Sequence, residues 1–143
     1  GHAYAQYSLG NGYMLGIGGL PQDQAKATQL FVAAAQKGLA DAQEAAAVSY
    51  ELGRGTSRNR AQAIYWLDQA AKQGDIYSAG FAKILRNPNT PAFHNDNEVE
   101  NFVESVFQYC WHDRFPERRP DLESPGYHVW QSLAPNWRDS YCN

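Results

Sequence analysis

The sequence predicts an all-α fold: a right-handed helix-turn-helix repeat solenoid, an α/α superhelix, with a C-terminal capping helix and a disulfide-tied tail. Three observations lead there. GLADAQEAAAVSYELGRG reproduces GHAYAQYSLGNGYMLGIG thirty-seven residues on, so that Gly38, Ala40, Ala42, Gln43, Tyr50, Gly53 and Gly55 repeat Gly1, Ala3, Ala5, Gln6, Tyr13, Gly16 and Gly18. DQAKATQLFVAAAQKG returns after thirty-six residues as NRAQAIYWLDQAAKQG, where Ala25, Ala27, Ala34, Ala35 and Gly38 recur as Ala61, Ala63, Ala70, Ala71 and Gly74. Within each half the apolar positions recur at three- and four-residue steps, the period of a helix. Helix pairs of this length stack on their neighbours to bury a continuous core.

The elements follow in chain order. The first helix of the first unit carries Ala5, Leu9 and Tyr13 on one stripe. The loop around Gly18 and Gly19 absorbs the one-residue difference between the two offsets, because insertion there costs little. Asp23 stands at the N-cap of the second helix, whose face is Ala27, Phe31, Ala34 and Ala35, and Gly38 ends it in a left-handed conformation. Asn59 and Gly74 do the same in the second unit. Alanine and glycine let helix axes approach closely, while Leu, Phe, Tyr or Trp fill the wedge between them. A third unit runs from Gly74 through IYSAGFAKILRN to Pro88 and keeps only its first helix. Gly1 matches the closing glycine of a unit, so further repeat material is expected ahead of it.

Beyond residue 87 the character changes. Residues 1–87 carry a net +2 and residues 88–143 a net −5. The boundary is therefore placed between repeats at 1–87 and a capping segment at 88–143. In that segment Val99, Phe102, Val103, Val106, Phe107 and Cys110 form one stripe behind Asn95 and Glu98 at capping-box spacing, which predicts a helix expected to close the last repeat. The remainder, with Pro116, Pro120, Pro125 and Pro135 around Tyr127, Trp130, Leu133 and Trp137, reads as a loop and a short helix held by aromatic anchors.

Two cysteines, Cys110 and Cys142, admit two readings, a disulfide or two unrelated buried thiols. The expectation is the bridge, and with it an oxidising, periplasmic or extracellular compartment. The overall charge of −3 and the lack of a basic stripe argue against nucleic acid. No run of about 18 uncharged apolar residues is present to span a membrane. Cys110, His112 and Cys142 lack a fourth ligand for zinc, and His2 and His94 have no second ligand at helical spacing, so neither a metal nor another cofactor is expected. No G-x-S-x-G, H-E-x-x-H or phosphate-binding glycine loop appears, so no catalytic residue is assigned and a hydrolase stays a remote alternative.

The two units, with A-x-A-Q and Y-x-x-G-x-G in the first half and A-A-x-x-G in the second, resemble the Sel-one-like repeat family, relatives of the tetratricopeptide repeat. The resemblance covers about residues 1–86. Ala46 and Ala47 depart from it, standing where the family has Leu-Gly. No unit carries the cysteines of the secreted, disulfide-stapled subgroup. The resemblance implies a groove lined by the first helix of each unit. Aligning Leu9 and Gly10 with the family's Leu-Gly places groove positions at Tyr4, Tyr7, Asn11 and Met14, then Asp41, Glu44, Val48 and Glu51, then Tyr77. Aromatic residues beside carboxylates suit a protein partner with a basic surface. Among the roles the resemblance implies, a periplasmic immunity protein that neutralises a type VI lipase-like effector leads, with an envelope adaptor or scaffold as the alternative.

Overall fold

The computed structural model describes residues 2–110 and 137–142. The expected aromatic anchors Tyr127, Trp130 and Leu133, the side chain of Trp137, His112 and the prolines from 116 to 135 lie outside the described residues. Every regular element described is helical: α1 His2–Leu15, α2 Gln24–Gln36, α3 Ala40–Leu52, α4 Arg60–Lys72, α5 Ile76–Arg86, α6 Asp96–Cys110 and α7 Trp137–Cys142. The chain divides into two compact units, 1–82 and 83–143, with the division falling inside α5.

In the first unit α1 packs on α2, α2 on α3 and α3 on α4, the consecutive order of a repeat solenoid. The helix ends are set locally. Asp23 and Asn59 are extended N-caps whose side-chain oxygens accept from the Lys26 and Gln62 amides at 3.0 Å. At the other end the Gly38 amide donates to Ala35 and the Leu39 amide to Ala34, and Gly74 and Asp75 repeat the pattern on Ala71 and Ala70. This left-handed closure needs φ near +95°, and both glycines have it.

The core is built of small residues with one large one per contact. Gly10 of α1 leaves room for Phe31 of α2, since a Cβ there would lie 2.7 Å from the ring. At the equivalent place in the second unit stand Ala47 and Leu67, both buried. The pair grows on one helix and shrinks on the other, keeping the filled volume similar, which is what a close-packed interior demands.

Successive repeats are joined by polar contacts as well. Thr28 donates to the Arg54 carbonyl at 2.8 Å, and Gln43 Nε2 donates to the Ala35 carbonyl at 3.2 Å. Gln73 then donates to both Gln43 Oε1 and the Gly38 carbonyl. These bonds link the second helix of one repeat, and the loop after it, to the first helix and following loop of the next.

The second unit has its own core. Phe93, Val99, Phe102, Val103, Val106 and Phe107 are buried, and Phe102 meets Phe93 and Tyr141 edge-on at 5.3 and 5.7 Å. Thr90 ties the α5 end to α7, bonding the Ile84 carbonyl and the Tyr141 hydroxyl, both at 2.6 Å. The expected disulfide joins Cys110 at the end of α6 to Cys142 at the end of α7. Asn95 caps α6 through the Glu98 amide, but the Glu98 carboxylate reaches past Asn95 to the His94 amide and ring Nδ1 instead of closing the reciprocal box.

Candidate partner-binding surface

The nine expected groove positions fall into three groups. Tyr4 is 61% exposed, with its ring 6.2 Å from that of Tyr7. Tyr7 is half-buried because its other side leans on Phe31 at 5.9 Å, so α2 holds the ring in place. Asn11 is half-buried one turn further on. On α3, Asp41 is exposed while Glu44 and Val48 are half-buried. On α5, Tyr77 is half-buried and packs edge-on against Phe81.

Met14 and Glu51 correct the expectation, because both are interior residues, 8% and 4% exposed. The reason is angular. Tyr7, Gly10 and Met14 follow one another at three- and four-residue steps, and Gly10 marks that stripe as the one turned toward α2. Glu51 occupies the Met14 position in the second repeat and is neutralised by Arg60 from the first turn of α4. The guanidinium Nε lies 3.1 and 3.2 Å from the two carboxylate oxygens, and Nη2 bonds Oε1 as well.

Sequence reasoning missed that ion pair, although the repeat itself carried a signal for it. Met14 and Gln24 of the first unit become Glu51 and Arg60 of the second, so an acid and a base enter together at contacting positions. The cation of Lys26 over the Tyr13 ring, 4.7 Å from its centroid, was missed too. It fastens the exposed start of α2 to α1.

The chemistry available is that of a surface. A shallow cavity of about 330 Å³ lies along α2, lined by Ala25, Gln29, Ala33, Gln36, Tyr50 and Thr56 among others, and thus by the second helix of a repeat more than the first. Among the described residues no three His, Cys, Asp or Glu side chains cluster to hold a metal ion. The His94–Glu98 pair, at 3.1 Å, is exposed and belongs to the start of α6. No described helix is long and apolar enough to cross a membrane.

No curated protein matches the chain. The Sel1 repeat profile matches residues 3–39 and 40–75, end to end and in register with the helix pairs α1–α2 and α3–α4. The family's repeats are non-enzymatic scaffolds for protein interaction. With two consecutive units matched over more than half its length, the chain belongs to the Sel1 repeat family.

Proposed function

We propose that this chain is a non-enzymatic binding protein that holds a protein partner along the first helices of its repeats, with Tyr4 and Tyr7 as anchors and Asp41 and Glu44 as the acidic component. The observation that carries the reading is a segregation of charge. Helices α1 and α3 contain Asp41, Glu44 and Glu51 and no Lys or Arg, whereas α2 and α4 contain Lys26, Arg60 and Lys72 against Asp68 alone. With Glu51 held by Arg60, the acidity this face offers to solvent is led by the exposed Asp41, with the half-buried Glu44 one turn away. Carboxylates so placed steer a basic surface toward the tyrosines, which bury large area at little entropic cost.

In its finer form the reading is a periplasmic immunity protein that neutralises a secreted antibacterial effector, with an envelope adaptor as the alternative. The Cys110–Cys142 bridge supports the oxidising compartment. The immunity role rests on the family resemblance. Affinity capture from envelope fractions, followed by mass spectrometry, tests it. Capture of a toxin whose activity falls on binding supports immunity, and capture of a non-toxic assembly component supports the adaptor. Tyr4→Ala should then weaken binding by about 1 to 2 kcal/mol, and Glu44→Lys should slow association most at low salt. Unchanged binding by both variants at every ionic strength would rule out the first helices as the site.

A further inference from the structure

Helices α2 and α4 each carry a hollowed flank that the proposed partner groove does not use. On α2 this is the cavity of about 330 Å³, lined by Gln29 and Gln36 with Val32 and Ala33 between them. Seven residues separate the two glutamines, which is two helical turns and about 10.5 Å along one side of the helix. Tyr50 of α3 and Thr56 of the loop after it complete the lining.

The polar groups of this cavity are not engaged by the fold. Gln43 and Gln73 are committed to bonds between repeats, and Gln22 bonds the Met14 carbonyl. The side chains of Gln29, Gln36, Tyr50 and Thr56, in contrast, have no hydrogen-bond partner among the described residues. Tyr13, the counterpart of Tyr50 one repeat earlier, carries the Lys26 ammonium over its ring, but the residue matching Lys26 in the second repeat is Gln62. Among the described residues no Asp, Glu, Lys or Arg lines the cavity.

The same register is hollowed again on α4. Tyr65, Asp68, Gln69 and Lys72 line a space of about 540 Å³, and they stand thirty-six residues after Gln29, Val32, Ala33 and Gln36. Tyr65 is 50% exposed, and its ring is held edge-on against Trp66 at 4.9 Å. Asp68 and Lys72 bring one charge of each sign, four residues apart on the helix, so this hollow too is neutral on balance.

We infer that this flank of α2, continued onto α4, is a binding site for a neutral oligosaccharide. Each other class of ligand leaves something unmatched. A phosphate or carboxylate meets no cation in the α2 cavity, and an apolar ligand would strip water from two amides and two hydroxyls without replacing their hydrogen bonds. A bound peptide is read through pockets for its side chains, whereas each of these cavities is a shallow hollow. A sugar has hydroxyl groups that both donate and accept, which suit the paired donor and acceptor of each glutamine amide. Its C–H face lies against an aromatic ring. Tyr50 and Tyr65 supply such rings beside α2 and on α4, so the site takes an oligomer whose units meet the two helices in turn. None of these residues belongs to the groove proposed on the first helices, and neither reading depends on the other.

The test applies the full chain to an array of neutral and acidic glycans, followed by isothermal titration calorimetry with the neutral oligosaccharide that binds best. Retention of neutral glycans is expected. Gln29→Ala and Gln36→Ala should each weaken binding about fivefold, the worth of one hydrogen bond, and Tyr65→Ala should do so by a similar factor. Both glutamine variants should melt within about 2 °C of the parent, since exposed side chains of this kind contribute little to stability. Tyr4→Ala, in the partner groove, should leave sugar binding unchanged. The inference is overturned if the array retains no neutral glycan, if it retains acidic glycans alone, or if the double variant Gln29→Ala with Gln36→Ala binds as the parent does. It is overturned as well if no sugar binds and the double variant loses a captured protein partner, which would make the flank a protein interface.

Discussion

Replacing Gly55 by alanine places a methyl group where the repeat stack has no room for one. The residue sits at φ +63°, and its Cβ would fall 2.2 Å from the Ala25 nitrogen, 2.4 Å from the Ala25 Cα and 2.5 Å from the Gln24 carbonyl carbon. These are backbone atoms and cannot rotate aside, so the loop must lift from α2. A left-handed alanine alone costs about 1 kcal/mol, and overpacking of this kind adds about 1 to 3 kcal/mol. Lifting the loop also strains the Thr28 bond to the Arg54 carbonyl. Gly55→Ala should therefore destabilise by roughly 3 kcal/mol. Gly18→Ala is the matched control, with the same backbone conformation and open space around it, and should cost only about 1 kcal/mol. Urea titrations followed by circular dichroism read both, and the Gly55 variant should lose its midpoint by two to three times as much at unchanged slope. Equal losses in the two variants would mean that the close approach to α2 is not what demands glycine, and the account of repeat stacking would fail with it.

Arg60→Gln should cost roughly 2 kcal/mol, below the usual penalty for orphaning a buried carboxylate because Arg60 itself reaches solvent. The double change Glu51→Met with Arg60→Gln, which copies Met14 and Gln24, should recover most of that loss in a thermal double-mutant cycle; a purely additive result would argue against direct coupling. Thiol titration of unreduced, denatured protein should find almost no free thiol. Reduction of the Cys110–Cys142 bridge, which spans 32 residues, should destabilise the second unit by about 3 to 4 kcal/mol on chain-entropy grounds, and an unchanged hydrogen-exchange profile there would contradict this. Tyr141→Phe should cost about 1 kcal/mol by removing the hydroxyl bonded to buried Thr90, and a neutral result would show that water satisfies Thr90 equally well.

Much of this molecule is written in short-range pattern. The paired offsets, Asp23 and Asn59, and Gly38 and Gly74 are local signals, because a cap or a left-handed helix end is decided within four residues of chain. The stripe from Val99 to Phe107 is equally local, and the helix it predicts is α6. The choice between a disulfide and two separate thiols was not local, since it required Cys142 on α7 to return to the end of α6.

The candidate surface was legible only in part, for an angular reason. Periodicity places Met14 and Glu51 on the first helices, but whether such a residue meets solvent or the next helix depends on a rotation of a few tens of degrees that a repeat alignment does not supply. Packing settled it against exposure for both, and recruited Arg60 to neutralise one of them. Gly10 and Phe31, against Ala47 and Leu67, show the same division of labour: the sequence determined that each contact is small against large, and the tertiary structure decided which residues meet. The unequal burial of Ala5 and Ala42, identical in sequence and register, has no local cause at all. A helix encodes its own period and ends, but what covers its outer face is set by the helix packed on it, here α2 on α3.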